Sequence, residues 1–134
     1  MSDLVTDTHS LIWYLEDSPH LGSKANQAFD ACDRSEIIIY IPTICLVEII
    51  YLQEKDRISP HLRTQIEQDL QSGSTNLVLF DLTAGVVDAI SQVPRSVVSD
   101  MPDRIIAGTA LYLSLPLISR DSKLQQLSNV TTIW

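Results

Sequence analysis

Along this chain the spacing of hydrophobic positions switches repeatedly between strand-like and helical. "DLVT" at 3–6 and "EIIIYI" at 36–41 are short β-rich runs, the second suited to a strand buried on both faces. "THSLIWYLED" at 8–17 spaces its apolar residues as an amphipathic helix, and a second helix is predicted over about 22–33, after the turn "SPHLG". Pro42 and Thr43 end the second strand and open a helix through "CLVEIIYL" at 45–52. "SPHLRTQIEQDLQSG" reads as a helix closed by Gly73. "NLVLFDLT" reads as a strand leading into a helix capped by Thr83 and running to about Gln92. The loop "VPRSVVSDMP" precedes a long helix at about 103–114, the strand "LPLIS", a short helix from Asp121 and the closing strand "VTTIW". Strands alternating with helices predict an α/β fold, a three-layer α/β/α sandwich around a central parallel sheet. Such sheets carry their sites beyond the carboxyl ends of the strands.

One residue breaks the pattern. Glu48 stands inside an apolar helix whose positions three and four away are Ile44, Cys45, Tyr51 and Leu52, none able to pair with a carboxylate. A charge buried without a partner is costly, so such groups are usually paired, neutralised or bound to a metal. Its partner therefore comes from elsewhere in the fold, a distant Arg for instance, or from outside the chain. Asp7 directly follows the first strand, Asp121 follows "PLIS", and Asp103 begins the long helix. All four acids are thus predicted at one edge of the sheet. Helix capping accounts singly for Asp7, Asp121 and either Asp100 or Asp103, but not for Glu48. Together, hard oxygen donors suit Mg2+ or Mn2+, which activates water and stabilises charge in phosphodiester hydrolysis.

The length of 134 residues fits one domain, 1–134, and no repeat, low-complexity tract or linker divides it. No apolar run approaches the ~20 residues of a membrane helix. The N-terminus "MSDLVTDTHS" has no Lys or Arg ahead of an apolar stretch, so no secretory signal is expected and a cytoplasmic location is. Cys32 and Cys45 read as buried thiols without metal-type spacing, and a disulfide between them stays open. Seventeen acidic against nine basic residues give a net charge of −8. That argues against broad nucleic-acid binding, which needs a basic footprint, but not against a nucleic-acid enzyme whose acidic site holds cations.

Four segments in order, "VTDTHSLIWYL", "LVEIIYL", "DMPDRIIAGTAL" and "LISRD", span nearly the whole chain. In them the sequence resembles the PIN-domain family, most closely the ribonuclease toxins (VapC type) of VapBC toxin–antitoxin pairs. The resemblance implies a PIN-like fold and a Mg2+- or Mn2+-dependent endoribonuclease using one or two ions. It also implies a homodimer, inhibited by a cognate antitoxin. Asp7, Glu48, Asp103 and Asp121 match the family's acidic metal-binding quartet, with Asp7, Asp103 and Asp121 as main ligands and Glu48 as ligand or orienter of water. Asp100 matches the first acid of the family's "DPxDR" pattern, as a cap or supporting group; here the pattern reads "DMPDR", with Met101 and Pro102 in altered order. Ser119 matches a hydroxyl position that orients water or phosphate.

Arg95, Arg104, Arg120 and Lys123 flank the segments holding Asp103 and Asp121, and read equally as a phosphate-guiding rim or as solvated charges. Arg104, next to a proposed ligand, is a candidate to restrain it. His9, His20 and His61 have no ligand spacing; His9 reads first as a helix-start residue. Trp13 and Tyr14 belong to a mostly core segment, with a dimer or antitoxin surface as the other reading, and Trp134 is expected to pack the final strand. A receiver-type phosphoacceptor would need an acidic pair after the first strand, and a dehalogenase-type phosphatase a second acid at position 9. Neither is present. The stronger rival is a non-catalytic PIN-like module binding RNA or protein, which should lack one of the four acids.

Overall fold

The computed structural model describes residues 1–134. Five parallel strands form one sheet in the order β3-β2-β1-β4-β5, built from β1 (Leu4–Thr6), β2 (Ile39–Pro42), β3 (Leu77–Phe80), β4 (Leu117–Ile118) and β5 (Thr132–Ile133). Seven helices connect them: α1 (Thr8–Leu15), α2 (Ser23–Asp33), α3 (Thr43–Glu54), α4 (His61–Ser72), α5 (Ala84–Ile90), α6 (Met101–Leu113) and α7 (Ser122–Gln125). The α/β class and the parallel sheet expected from the alternating pattern are both present. β1 and β4, at the centre, are buried along their whole length, which is why their residues are apolar or Thr.

The strand order places the site. From β1 the chain moves outward through β2 to β3, then returns to the other side of β1 for β4 and β5. The direction of winding therefore reverses between β1 and β4, and a crevice opens beyond their carboxyl ends. Asp7 follows β1 directly and Ser119 to Asp121 follow β4, so both segments border that crevice.

Several boundaries differ from the sequence reading. β2 begins at Ile39 instead of 36, because Glu36 N–H donates to the Ala31 carbonyl to close α2, and Ile38 N–H donates to the Asp3 carboxylate. Pro42 is the last residue of the strand, opposite Phe80, at an end where its missing N–H costs nothing. α1 stops at Leu15, since Asp17 takes a left-handed conformation with φ 53°. α6 starts at Met101, two residues early: Asp100 is its cap, and Pro102 lies in the first turn, where helices tolerate proline. Gly73, with φ 63°, ends α4 as expected.

α5 and α6 pack closely; a Cβ on Gly108 would meet the Ile90 side chain at 2.6 Å. Both cysteines are buried and free, which resolves the disulfide question. No helix is long and apolar enough to cross a membrane.

Candidate active site

Asp7 sits at the end of β1 with 8 % of its surface exposed. Its Oδ1 accepts from Ser10 N–H at 2.9 Å and caps α1. Burial pushes its carboxyl up, opposed by the Ser10 and Ser119 hydroxyls, the Ser10 N–H and the charge of His9. Asp121 caps α7 through one oxygen, Oδ1, which accepts from Lys123 N–H at 2.9 Å and Leu124 N–H at 3.0 Å. Asp100 caps α6 through Oδ2, which accepts from Asp103 N–H at 3.1 Å. Capping thus describes all three, and in Asp100 and Asp121 it engages one carboxylate oxygen and leaves the other free of protein donors.

Glu48 enters from the second turn of α3. Its partner is the hydroxyl of the buried Thr8, which donates to Oε1 across 40 residues of sequence. No Arg or Lys pairs with it, so the distant-Arg reading is not what the fold provides. Burial raises its carboxyl, the Thr8 hydrogen bond opposes this, and Asp100 raises it further. Asp103, in the first turn of α6, makes no side-chain hydrogen bond at all; burial, and then Asp100, Asp121, Glu48 and Asp7, push it up to about 7.

These five acids line a single open cavity of about 470 Å³, together with Thr8, His9, Trp13 and Arg120. None of the five forms a salt bridge: the two ion pairs of the molecule, Arg34–Glu36 and Arg63–Glu67, lie elsewhere. As the side chains stand, no three acids close into a ligand cluster. The donor chemistry nevertheless fits a hard divalent cation: hydroxyl-held and N–H-held carboxylates, mutually repelling and with no Lys or Arg paired to them.

Ser119 is fully buried behind the cavity; its Oγ accepts from Asp121 N–H at 3.1 Å and so braces the turn that presents Asp121. Arg104 is not in the site. Its Nη2 donates to the carbonyls of Ile90 (3.2 Å) and Val93 (2.9 Å), tying α6 to the end of α5. Nor do Arg95 and Lys123 reach the cavity, so of the four rim candidates Arg120 alone lines it. Arg120 lies over the Trp13 indole, 5.6 Å from the ring centroid, a contact of about 0.5–1 kcal/mol when exposed. Sequence reasoning missed Thr8 as the partner of Glu48. A hydroxyl next to Asp7 was visible, but nothing local pointed it at α3.

Residues 4–130 match the PIN domain family. Over the full length of both proteins the chain is 24 % identical, across 136 aligned residues, to Ribonuclease VapC22 of Mycobacterium tuberculosis. Among solved structures it superposes on a chain of VapBC2 from Rickettsia felis, bound to a promoter DNA fragment. The TM-score is 0.70 at 16 % identity, covering 98 % of this chain and 97 % of that one. A chain of a toxin–antitoxin complex from Klebsiella pneumoniae gives a TM-score of 0.62 at 19 % identity, covering 96 % of each. With the family match running through both halves of the crevice, the chain belongs to the PIN-domain family.

Proposed function

We propose that this chain, acting as a single nuclease domain over residues 1–134, is a metal-dependent endoribonuclease and the toxin of a type II toxin–antitoxin pair. The observation that carries the reading is the cavity itself: five carboxylates brought together at the switch point, with no salt bridge to any of them. A fold that only needed helix caps would have no reason to gather them beside Glu48, which caps nothing. The family membership supports the nuclease assignment. The ribonuclease name of the Mycobacterium relative and the toxin–antitoxin complex from Klebsiella support the substrate and the antitoxin partner.

Asp7, Asp103 and Asp121 are the residues placed to hold one or two Mg2+ or Mn2+ ions, with Glu48 as a further ligand or as the acceptor that orients a water. Such a cation, when bound, supplies activation of water and neutralises charge building on the phosphate. The chain's own part is placement. Helix N–H groups and the Thr8 hydroxyl each hold an oxygen of Asp7, Asp121 and Glu48, so these carboxylates are oriented before the substrate arrives. Ser119 holds the Asp121 turn, Asp100 fixes the first turn of α6 that presents Asp103, and Arg120 is the cation available to the RNA backbone. The working form in this reading is a homodimer, neutralised by its antitoxin. A non-catalytic binding module would not need to retain all four acids.

Purified wild type and Asp7→Asn are compared on total RNA with magnesium or manganese, and with chelator. Asn caps helices as well as Asp, so the variant should fold. Cleavage by wild type with metal alone, lost in the variant and in chelator, is the expected outcome. Equal cleavage by both proteins would overturn the site.

A further inference from the structure

Trp13 occupies the point where α1 passes the acidic cavity, and its indole lines that cavity beside Asp7 and Asp121. The exposed Arg120 lies over the ring, 5.6 Å from its centroid. Arg120 immediately precedes Asp121 and shares the cavity with five carboxylates, yet it pairs with none of them and rests on an aromatic face instead. It is also the only Lys or Arg there. In a chain of net charge −8, a polyanion entering this cavity gains little from electrostatics, so grip on the strand has to come from elsewhere. Sites for single-stranded nucleic acid obtain it from aromatic faces on which unpaired bases stack.

The indole is braced for such a role. His9 lies 5.6 Å away on the preceding turn of α1, His20 at 5.6 Å, and Trp134 packs edge-on at 5.8 Å. Trp134 is itself seated against Gly22, where a Cβ would come within 2.6 Å of its ring, and its carbonyl accepts from Lys24 N–H at 3.2 Å. Trp134 and the start of α2 therefore hold Trp13 in place, and the exposed Arg120 side chain lies over its ring.

We propose that Trp13 is a nucleobase-stacking site for the RNA strand, covered by Arg120 in the free protein. An incoming unpaired base takes the place of the guanidinium on the indole, and Arg120 turns to the adjoining phosphate. The proposal rests on the nuclease reading of the neighbouring acids.

The test uses protein carrying Asp7→Asn and Trp134→Phe, in which Trp13 is the sole tryptophan, with magnesium present. It is titrated with a short single-stranded RNA and with an abasic strand of equal length and charge, and binding is followed separately by anisotropy of a labelled strand. RNA should quench Trp13 emission and the abasic strand should not. Adding Trp13→Leu should weaken RNA binding roughly tenfold and leave abasic binding unchanged, with Trp13→Phe within about threefold. Arg120→Gln should reduce the salt dependence of RNA binding by about one phosphate contact. RNA bound without quenching, or Trp13→Leu weakening both strands equally as a folding defect would, overturns the proposal. So does a failure of the RNA to bind. Cleavage of total RNA by wild type, assayed in parallel with magnesium, then reports whether the nuclease reading stands without it.

Discussion

Charged residues on the open surface of this molecule and those in its cavity follow opposite rules. Arg34–Glu36 and Arg63–Glu67 are paired at 3.0 and 3.1 Å, with every one of the four side chains half exposed or more. At such places an ion pair contributes about 0–1 kcal/mol. Of the cavity acids Asp7 is buried, Glu48 and Asp103 are half-buried, and Asp100 and Asp121 are exposed at the mouth; all lie among like charges, and none has a paired counter-ion. The two arginines adjoining proposed ligands, Arg104 and Arg120, both turn away, one to backbone carbonyls and one to an indole. Stability alone would not select this distribution. It is the arrangement expected where charge is kept available for something that binds.

The largest effect should come from removing one of the crowded charges. Asp103→Asn should cut cleavage more than ~100-fold, since even groups that merely support metal ligands cost up to that much. The same substitution should raise the melting temperature of the metal-free protein above pH 7. With Asp103 pushed up to about 7 from its ordinary 3.8, the folded protein holds a proton between those values that the unfolded chain has released. The contribution of Asp103 to the stability of the metal-free protein is therefore full below the lower value and is lost as pH rises towards about 7. Calorimetry across pH 4–8, with chelator and then with manganese, checks both parts. The metal should restore what rising pH removes, and a flat profile for wild type would erase the contrast between cavity and surface.

Arg104 sharpens the contrast from the other side. Its hydrogen bonds to Ile90 and Val93 join α5 to α6 and engage no carboxylate, so Arg104→Met should destabilise the fold by about 1–3 kcal/mol. Cleavage per folded molecule should be unchanged. Denaturant unfolding gives the first number and a stopped assay at saturating metal the second. A folded Arg104→Met protein without activity would return Arg104 to the site.

Thr8→Val comes next. The swap keeps the shape of a buried residue and removes the only protein donor to Glu48, at about 1 kcal/mol of stability or less. Activity should fall several-fold and recover in Thr8→Ser, because the hydroxyl alone is at issue. If Thr8→Val is as active as wild type, the orientation of Glu48 owes nothing to this bond.

What could be read from the sequence divides along the same physical line. Strands β1 and β4, the Gly73 stop and the Asp caps are set by neighbours within a few residues, and local pattern located them closely. Even the misplaced start of α6 is a local matter: the sequence pattern puts Pro102 at the end of the preceding loop, whereas the Asp100 cap makes it a first-turn residue. The direction in which Arg104 points depends on α5 packing against Gly108, and the partner of Glu48 lies 40 residues away. Trp13 reads as part of a mostly core segment or as a partner surface; it does pack against the core, but helical spacing could not show that it also walls the cavity. The acids could be placed at one edge because strand ends are local features; which side chains would leave them unpaired could not.

The smallest effect is the control that gives the others meaning. Arg34→Ala breaks a two-point contact, Nε to one oxygen of Glu36 at 3.0 Å and Nη2 to the other at 3.2 Å. Both partners are exposed, and the link spans only two residues, so little chain is ordered by it. Glu36 is held below its usual carboxylate range by the guanidinium. Deleting Arg34 lets Glu36 return towards that range, so any stability the pair contributes is present above it and lost as pH falls into it. Unfolding at pH 7 should differ from wild type only slightly in low salt and not at all in high salt. A larger loss would mean that surface pairing carries weight in this fold, and the unpaired cavity would then be a heavier departure from it than its geometry implies.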